Sequence, residues 1–221
     1  QISKNRFVVA GALSDRNCYT EILYQFYFVT RAMEVRLNEL AKTNDVVRKI
    51  QDLKYSFTKG YELDLKALNV PTEAHEPTIS YAERLSKANV TEIIAAVFIL
   101  WGPLLIGGGA FLKPKIERSF GKNACNVFED VVGKSRGGRA GRRKEFIELW
   151  DSLYVDCEEK QKQIVEHCAE FMDLNNKIMR SVKRRPWWAI PVLLTSTTLV
   201  ALGVAYFYYN SKSSSKLRRR G

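Results

Sequence analysis

The stretch Ile93-Ile94-Ala95-Ala96-Val97-Phe98-Ile99-Leu100-Trp101-Gly102-Pro103-Leu104-Leu105-Ile106-Gly107-Gly108-Gly109-Ala110-Phe111-Leu112 runs for twenty residues without a charge. Its reading decides the fold. By length and apolarity it passes as a membrane span. Against that, Gly102-Pro103 and the triplet Gly107-Gly108-Gly109 break it into halves. Glycines let a backbone bend or pass close to something, which suits a buried, kinked helix lying over a ligand or a neighbouring helix. The buried kinked helix is the expectation, with a second span as the alternative.

Outward from this segment, helical spacing dominates. Ile22, Phe26, Val29, Met33 and Leu37 form one apolar stripe across residues 19–40, with Ser14-Asp15 before it as a cap. Residues 46–68 give one or two further helices, ended by Asn69-Val70-Pro71-Thr72, because proline disfavours helical geometry in the residue before it. Shorter helices are expected over 79–87, 114–132 and 143–154. A last one over 158–182 carries Ile164, Cys168, Phe171, Leu174 and Ile178 as its stripe. Neither an alternating strand pattern nor an internal repeat is visible. The expectation is an all-α helical domain over residues 1–182, with residues 183–221 forming a C-terminal transmembrane anchor and basic tail.

The anchor rests on Lys183-Arg184-Arg185-Pro186, followed by an uncharged run over 187–209 and a tail closing on Arg218-Arg219-Arg220-Gly221. Such a run crosses a hydrocarbon core of about 30 Å at about 1.5 Å per residue. Trp187, Trp188, Tyr206, Tyr208 and Tyr209 stand where interfacial aromatic rings belong. Basic residues on both sides of a span containing Thr195 to Thr198 favour a mitochondrial membrane, with the endoplasmic reticulum as the alternative.

Charge is localised. Of 35 basic residues, six lie in 134–144 and eight in 183–220, neither stretch holding an acid, so the rest of the chain is slightly acidic against 24 Asp and Glu. This excludes a basic nucleic-acid-binding body. In the glycine- and arginine-rich stretch 133–144, expected as a solvated loop, Arg136, Arg139, Arg142 and Arg143 are candidates for contact with anionic lipid or an acidic partner. Lys183, Arg184 and Arg185 join them at the membrane flank. The phosphate-loop spacing is absent. Cys18, Cys125, Cys157 and Cys168 show no paired spacing and are read as reduced, buried thiols. His75 and His167 are read as structural or exposed, and Glu62 and Asp64 as helical surface acids. No metal site or catalytic triad is legible.

The runs beginning at Tyr27, Tyr61, Tyr81 and Glu92, the last with the bend at Gly107-Gly108-Gly109, together resemble in order and spacing the heme oxygenases, over about residues 5–180. Tyr27-Phe28-Val29-Thr30-Arg31-Ala32-Met33-Glu34 is similar to that family's aromatic helix, and Tyr61-Glu62-Leu63-Asp64-Leu65 to its Leu-Glu-x-Asp-Leu run. Tyr81-Ala82-Glu83-Arg84-Leu85 resembles its Tyr-x-x-Arg-Leu. The run Glu92-Ile93-Ile94-Ala95-Ala96 with the Gly107-Gly108-Gly109 bend resembles its distal helix, whose glycines pass close over heme. A C-terminal anchor is a feature of the animal and fungal members.

Departures from the family pattern carry as much information as the matches. Aligned on Gly108-Gly109, the distal aspartate that organises water for oxygen activation falls on Leu105, and the distal arginine on Trp101. The cations that hold the heme propionates fall on Ile147 and Asp151. The proximal histidine position falls upstream of Gln1. A leucine neither accepts nor relays a proton, and an acid repels a propionate. The resemblance therefore implies a catalytically degenerate, membrane-anchored relative serving as a structural or accessory subunit of a membrane complex, with no cofactor. The alternative is an active heme oxygenase that binds heme, converts it to biliverdin, CO and iron, and draws electrons from a reductase.

Overall fold

A computed structural model describes residues 14–129, 138–154 and 156–182, all within one compact unit. The span over 187–209 with Trp187, Trp188, Tyr206, Tyr208 and Tyr209, the flanking Lys183, Arg184 and Arg185, and Arg136 all lie outside the described residues. Every regular element among the described residues is helical, so the expected all-α class holds.

The first helix, α1 (Arg16–Ala41), is capped as its sequence suggests, the Asp15 carboxylate accepting from the Cys18 amide at 2.9 Å. Its apolar stripe buries Tyr19, Leu23, Phe26, Val29, Met33 and Leu37. Two helices follow, α2 (Asp45–Gln51) and α3 (Phe57–Leu68), the latter ending in a left-handed Asn69 with φ 47°. Asparagine tolerates that conformation better than most residues, which makes it a natural helix stop. Next comes α4 (Glu76–Ser86), with Pro77 in its first turn, where a missing N–H costs nothing.

Helix α5 (Val90–Ile99) opens with a reciprocal capping box between Asn89 and Glu92. It continues without a break into a π-helical segment (Leu100–Gly109) and then α6 (Ala110–Phe120). The expected kink is thus a widened helix. Pro103 cannot donate to the preceding turn and its ring crowds that turn's carbonyl, and a wider turn relieves the clash. A Cβ on Gly107 would lie 3.2 Å from Gly102 O and one on Gly108 3.1 Å from Pro103 O, so the widened turn crowds both positions. Residues 90–108 are long and apolar enough to cross a membrane, but Ile93, Ile94, Ala95, Ala96 and Val97 are fully buried here. The segment is the core helix of this domain.

Three expectations need correction. The helix expected over 114–132 stops at Phe120, because Gly121 turns the chain with φ 92°, and two short 3-10 turns, Lys122–Ala124 and Asn126–Phe128, follow. The loop expected over 133–144 is helical from its sixth residue, as α7 spans Gly138–Ser152. Asp64 is no surface acid. It is fully buried and accepts from Asn126 N at 2.6 Å, Asn126 Nδ2 at 2.8 Å and Val127 N at 3.0 Å. One turn earlier, Gly60 lets the 3-10 backbone approach α3, for a Cβ there would meet Val127 Cα at 2.6 Å. Burial pushes the Asp64 carboxyl above its ordinary range while the three donors pull it back.

The last helix, α8 (Glu158–Ser181), covers α5, burying Ile164, Phe171 and Ile178. Tyr81 stacks on Phe171, and the Arg84 guanidinium lies 4.9 Å from the same ring's centroid while it bridges Glu92 and Glu170. All four thiols are free, Cys18 and Cys125 buried as expected and Cys157 and Cys168, against expectation, only partly buried. Burial raises Cys168 to about 11.

Two predictions follow from this packing. Gly60→Ala should lower stability by about 1–3 kcal/mol, read from urea denaturation, since backbone rather than a movable side chain blocks the methyl. An unchanged midpoint would contradict the docking of Asn126–Phe128 on α3. For Cys168, only the thiolate alkylates and about one part in a thousand is ionised at pH 8. Peptide-resolved alkylation of the native protein should therefore climb about tenfold per pH unit from 7 to 10. A plateau by pH 9 would contradict the partial burial that raises this thiol.

Candidate functional site

Helix α7 runs beside the π segment, and the contact is aromatic. Phe146 stacks on Trp150 with centroids 4.7 Å apart, and Phe98 of α5 packs on both rings at 5.9 and 5.3 Å. Gly102 permits this approach, because a Cβ there would lie 3.0 Å from Phe146 Cε1. With Phe146 turned inward, the helical repeat turns Ile147 outward, and Ile147 is 44% exposed. Asp151, one turn on, is exposed as well. The two positions thus share the outer face of α7, as a ligand-facing pair would.

The distal positions behave differently. Trp101 is 1% exposed and packs edge-on against Tyr55 and Phe57, with centroids 5.4 and 5.6 Å away. It is a core residue, and its indole N–H has no hydrogen-bond partner among the described residues. Leu105 is 2% exposed and packs into the same apolar core. Gly107 and Gly108 are partly exposed, and a Cβ on either would crowd the carbonyl oxygen of Gly102 or Pro103 within the widened turn. Gly109 closes the π segment.

On the outer face of α7, Ala140, Arg143, Lys144, Ile147 and Glu148 border a wide-open depression. These positions follow the 3.6-residue repeat. Arg143 makes no hydrogen bond or ion pair among the described residues. Lys144 lies 3.6 Å from Glu148 across one exposed turn. The neighbouring Arg142 points inward. It donates to Leu53 O at 3.2 Å, pairs with Glu145 at 3.2 Å and stacks over Tyr55 at 4.8 Å, so the guanidinium expected at a lipid or partner surface is engaged within the domain. Arg139 falls in the first turn of α7.

Both histidines have structural partners. His75 lies between the Glu21 carboxylate at 3.3 Å and the Ser181 hydroxyl at 3.0 Å, and His167 pairs with Glu170 at 3.2 Å. No group of three or more potential metal ligands occurs among the described residues. This face offers apolar surface from Ala140 and Ile147, positive charge from Arg143 and Lys144, and negative charge from Glu148. Sequence reasoning missed Lys144 and Glu148 as lining residues, because it took the chain up to Lys144 as loop. The spacing 140, 143, 144, 147, 148 becomes one helix face once α7 begins at Gly138.

No family model and no curated protein matches the chain. Solved structures do. The heme oxygenase from Leptospira interrogans is 22% identical, with a TM-score of 0.65 over 79% of this chain and 87% of its own. A heme oxygenase-1 from the cyanobacterium Synechocystis, in complex with heme, is 17% identical, with a TM-score of 0.65 over 87% of this chain and 88% of its own. The expectation of no cofactor is corrected by this likeness, since one of the two matched structures is a heme complex. Together with the four local patterns read from the sequence, the likeness shows that the chain has the heme-oxygenase-like fold.

Proposed function

We propose that this chain is a membrane-anchored, heme-binding protein with a heme-oxygenase fold that has given up oxygen activation. In this reading it serves as an accessory or structural subunit of a membrane complex, in a mitochondrial membrane. The observation that carries the loss of oxygenase chemistry is Leu105, 2% exposed and packed in apolar core at the position aligned with the family's distal carboxylate. A carboxylate there would order water and relay protons, whereas leucine offers no lone pair.

What supports heme binding is the likeness in fold to a heme oxygenase solved in complex with heme. Gly107 and Gly108 of the π segment carry no side chain, and a planar ligand can approach such backbone closely. Arg143, Lys144 and Ile147 lie on the exposed outer face of α7, while Phe146 packs inward, and belong to a different surface. Bound heme would bring redox and gas-binding chemistry. The chain's own residues bind and orient the ring, and the buried Leu105 keeps an acid–base group from its side of the core. Membrane attachment rests on the uncharged run over 187–209 with its basic flanks.

Heme titration of the purified full-length chain in detergent, followed by a reductase and NADPH, tests the reading. A saturable 1:1 Soret band without biliverdin is expected. Biliverdin formation would overturn the loss of activity and restore the oxygenase, and absence of a saturable Soret change would overturn heme binding. Removal of residues 187–221 should release the domain from membranes in high salt. Persistent association would place 93–112 in the bilayer instead.

A further inference from the structure

On the reading that the chain is attached to a membrane, its helical domain meets lipid headgroups at high effective concentration. Which surface makes contact is then a question of charge. Among the described residues, α1, α2, α3, α7 and α8 each expose both acids and bases, α4 exposes acids alone, and α5 exposes no charge. Helix α6 differs from all of them in exposing bases alone. Its Lys115 and Arg118 stand three residues apart, on one side of the helix, and Lys122 follows the turn at Gly121. None of the three side chains makes a hydrogen bond or ion pair among the described residues. No acid is exposed between 114 and 123, where Glu117 is half-buried, and farther on Glu129 pairs with Lys113 at 2.6 Å.

We infer that the surface of α6 carrying Lys115, Arg118 and Lys122 docks on an anionic phospholipid bilayer. Each cation brought to such headgroups adds about fivefold to the preference for contact, so charge complementarity favours this surface over those of mixed sign. The exposed acids of α4 oppose contact through their own surface. Three cations without internal partners give a contact that salt reverses, since nothing but headgroup phosphate and carboxylate answers their charge. Docking therefore orients the domain and does not by itself hold it to the membrane.

The test is lysine acetylation of the full-length chain in nanodiscs, read peptide by peptide, with discs of phosphatidylcholine alone or mixed with phosphatidylserine. Lys115 and Lys122 should react severalfold more slowly in the anionic discs. The difference should vanish at about 1 M salt, where the screening length falls to about 3 Å. Lys59 and Lys66, exposed on α3 beside Glu62, should react alike in both discs. Arg118→Glu should abolish the slowing at Lys115 and Lys122, and Arg118→Lys should keep it. The comparison of the two discs stands on the unmodified chain, so a variant that fails to fold leaves it intact. Equal rates in both discs, equal slowing of every lysine, or slowing that survives salt would overturn the docking and leave membrane attachment standing. Slowing by soluble polyglutamate but not by anionic discs would give the surface to an acidic protein and overturn the lipid assignment. Failure of the chain to enter either disc would overturn membrane attachment and the docking with it.

Discussion

Helix α1 satisfies the ends of its neighbours with its own side chains, and the rest of the domain depends on that constraint. Helix termini leave backbone donors and acceptors without partners, and in a compact bundle many of them cannot reach water. Glu34 accepts from Phe57 N and Thr58 N at 2.8 and 3.3 Å, capping α3, whose own Ser56 makes no side-chain cap bond. At the other end of α3, Arg16 donates to Leu68 O at 2.8 Å and Ala67 O at 3.0 Å, placing a cation at the negative pole of that helix. The buried Gln25 donates to Glu73 O and accepts from His75 N and Thr78 Oγ1, fixing the entry to α4. Removing one such partner strands buried backbone groups at about 1–3 kcal/mol each. A single helix thereby sets the register of two others.

With that frame fixed, the long apolar helix has one place to go, beneath α8 and beside α7. Its sequence could not remain α-helical throughout, since Pro103 removes a donor where the helix must also pass Phe146. The π segment meets both demands by widening one stretch of helix. The departure from regular helix geometry falls at the positions that the family resemblance aligns with the distal helix, Trp101, Leu105 and Gly107 to Gly109.

Much of this was legible in the sequence, for identifiable reasons. The stripe of α1, the cap at Asp15, the stop at Asn69 and the stripe of α8 are local signals with a period of 3.6 residues, and each element stands within a few residues of where they put it. The family likeness was also visible, in short runs that share order and spacing. What escaped was non-local. The burial of Asp64 depends on Asn126 and Val127, 62 and 63 residues away, and nothing near Asp64 announces it. The π geometry depends on hydrogen-bond register, which apolarity does not encode. Glycine and arginine at 138–144 read as loop because their propensities point that way, yet the Phe98–Phe146–Trp150 stack holds α7 in place. Leu105 was noticed by alignment, but its burial needed coordinates.

The burial of 90–108 also has a kinetic side. During synthesis this segment emerges about fifty residues before α8, the helix that covers it, begins at Glu158. At about 5–20 residues per second, roughly 4–15 s pass before α8 is complete. Through that interval the chain presents a stretch that insertion machinery reads by length and apolarity alone. Folding and insertion are then competing fates for one segment. The proline and glycines do not bar the second fate, since π geometry re-satisfies freed backbone groups within a bilayer as well, so the arrival of α8 is what commits the segment to the core.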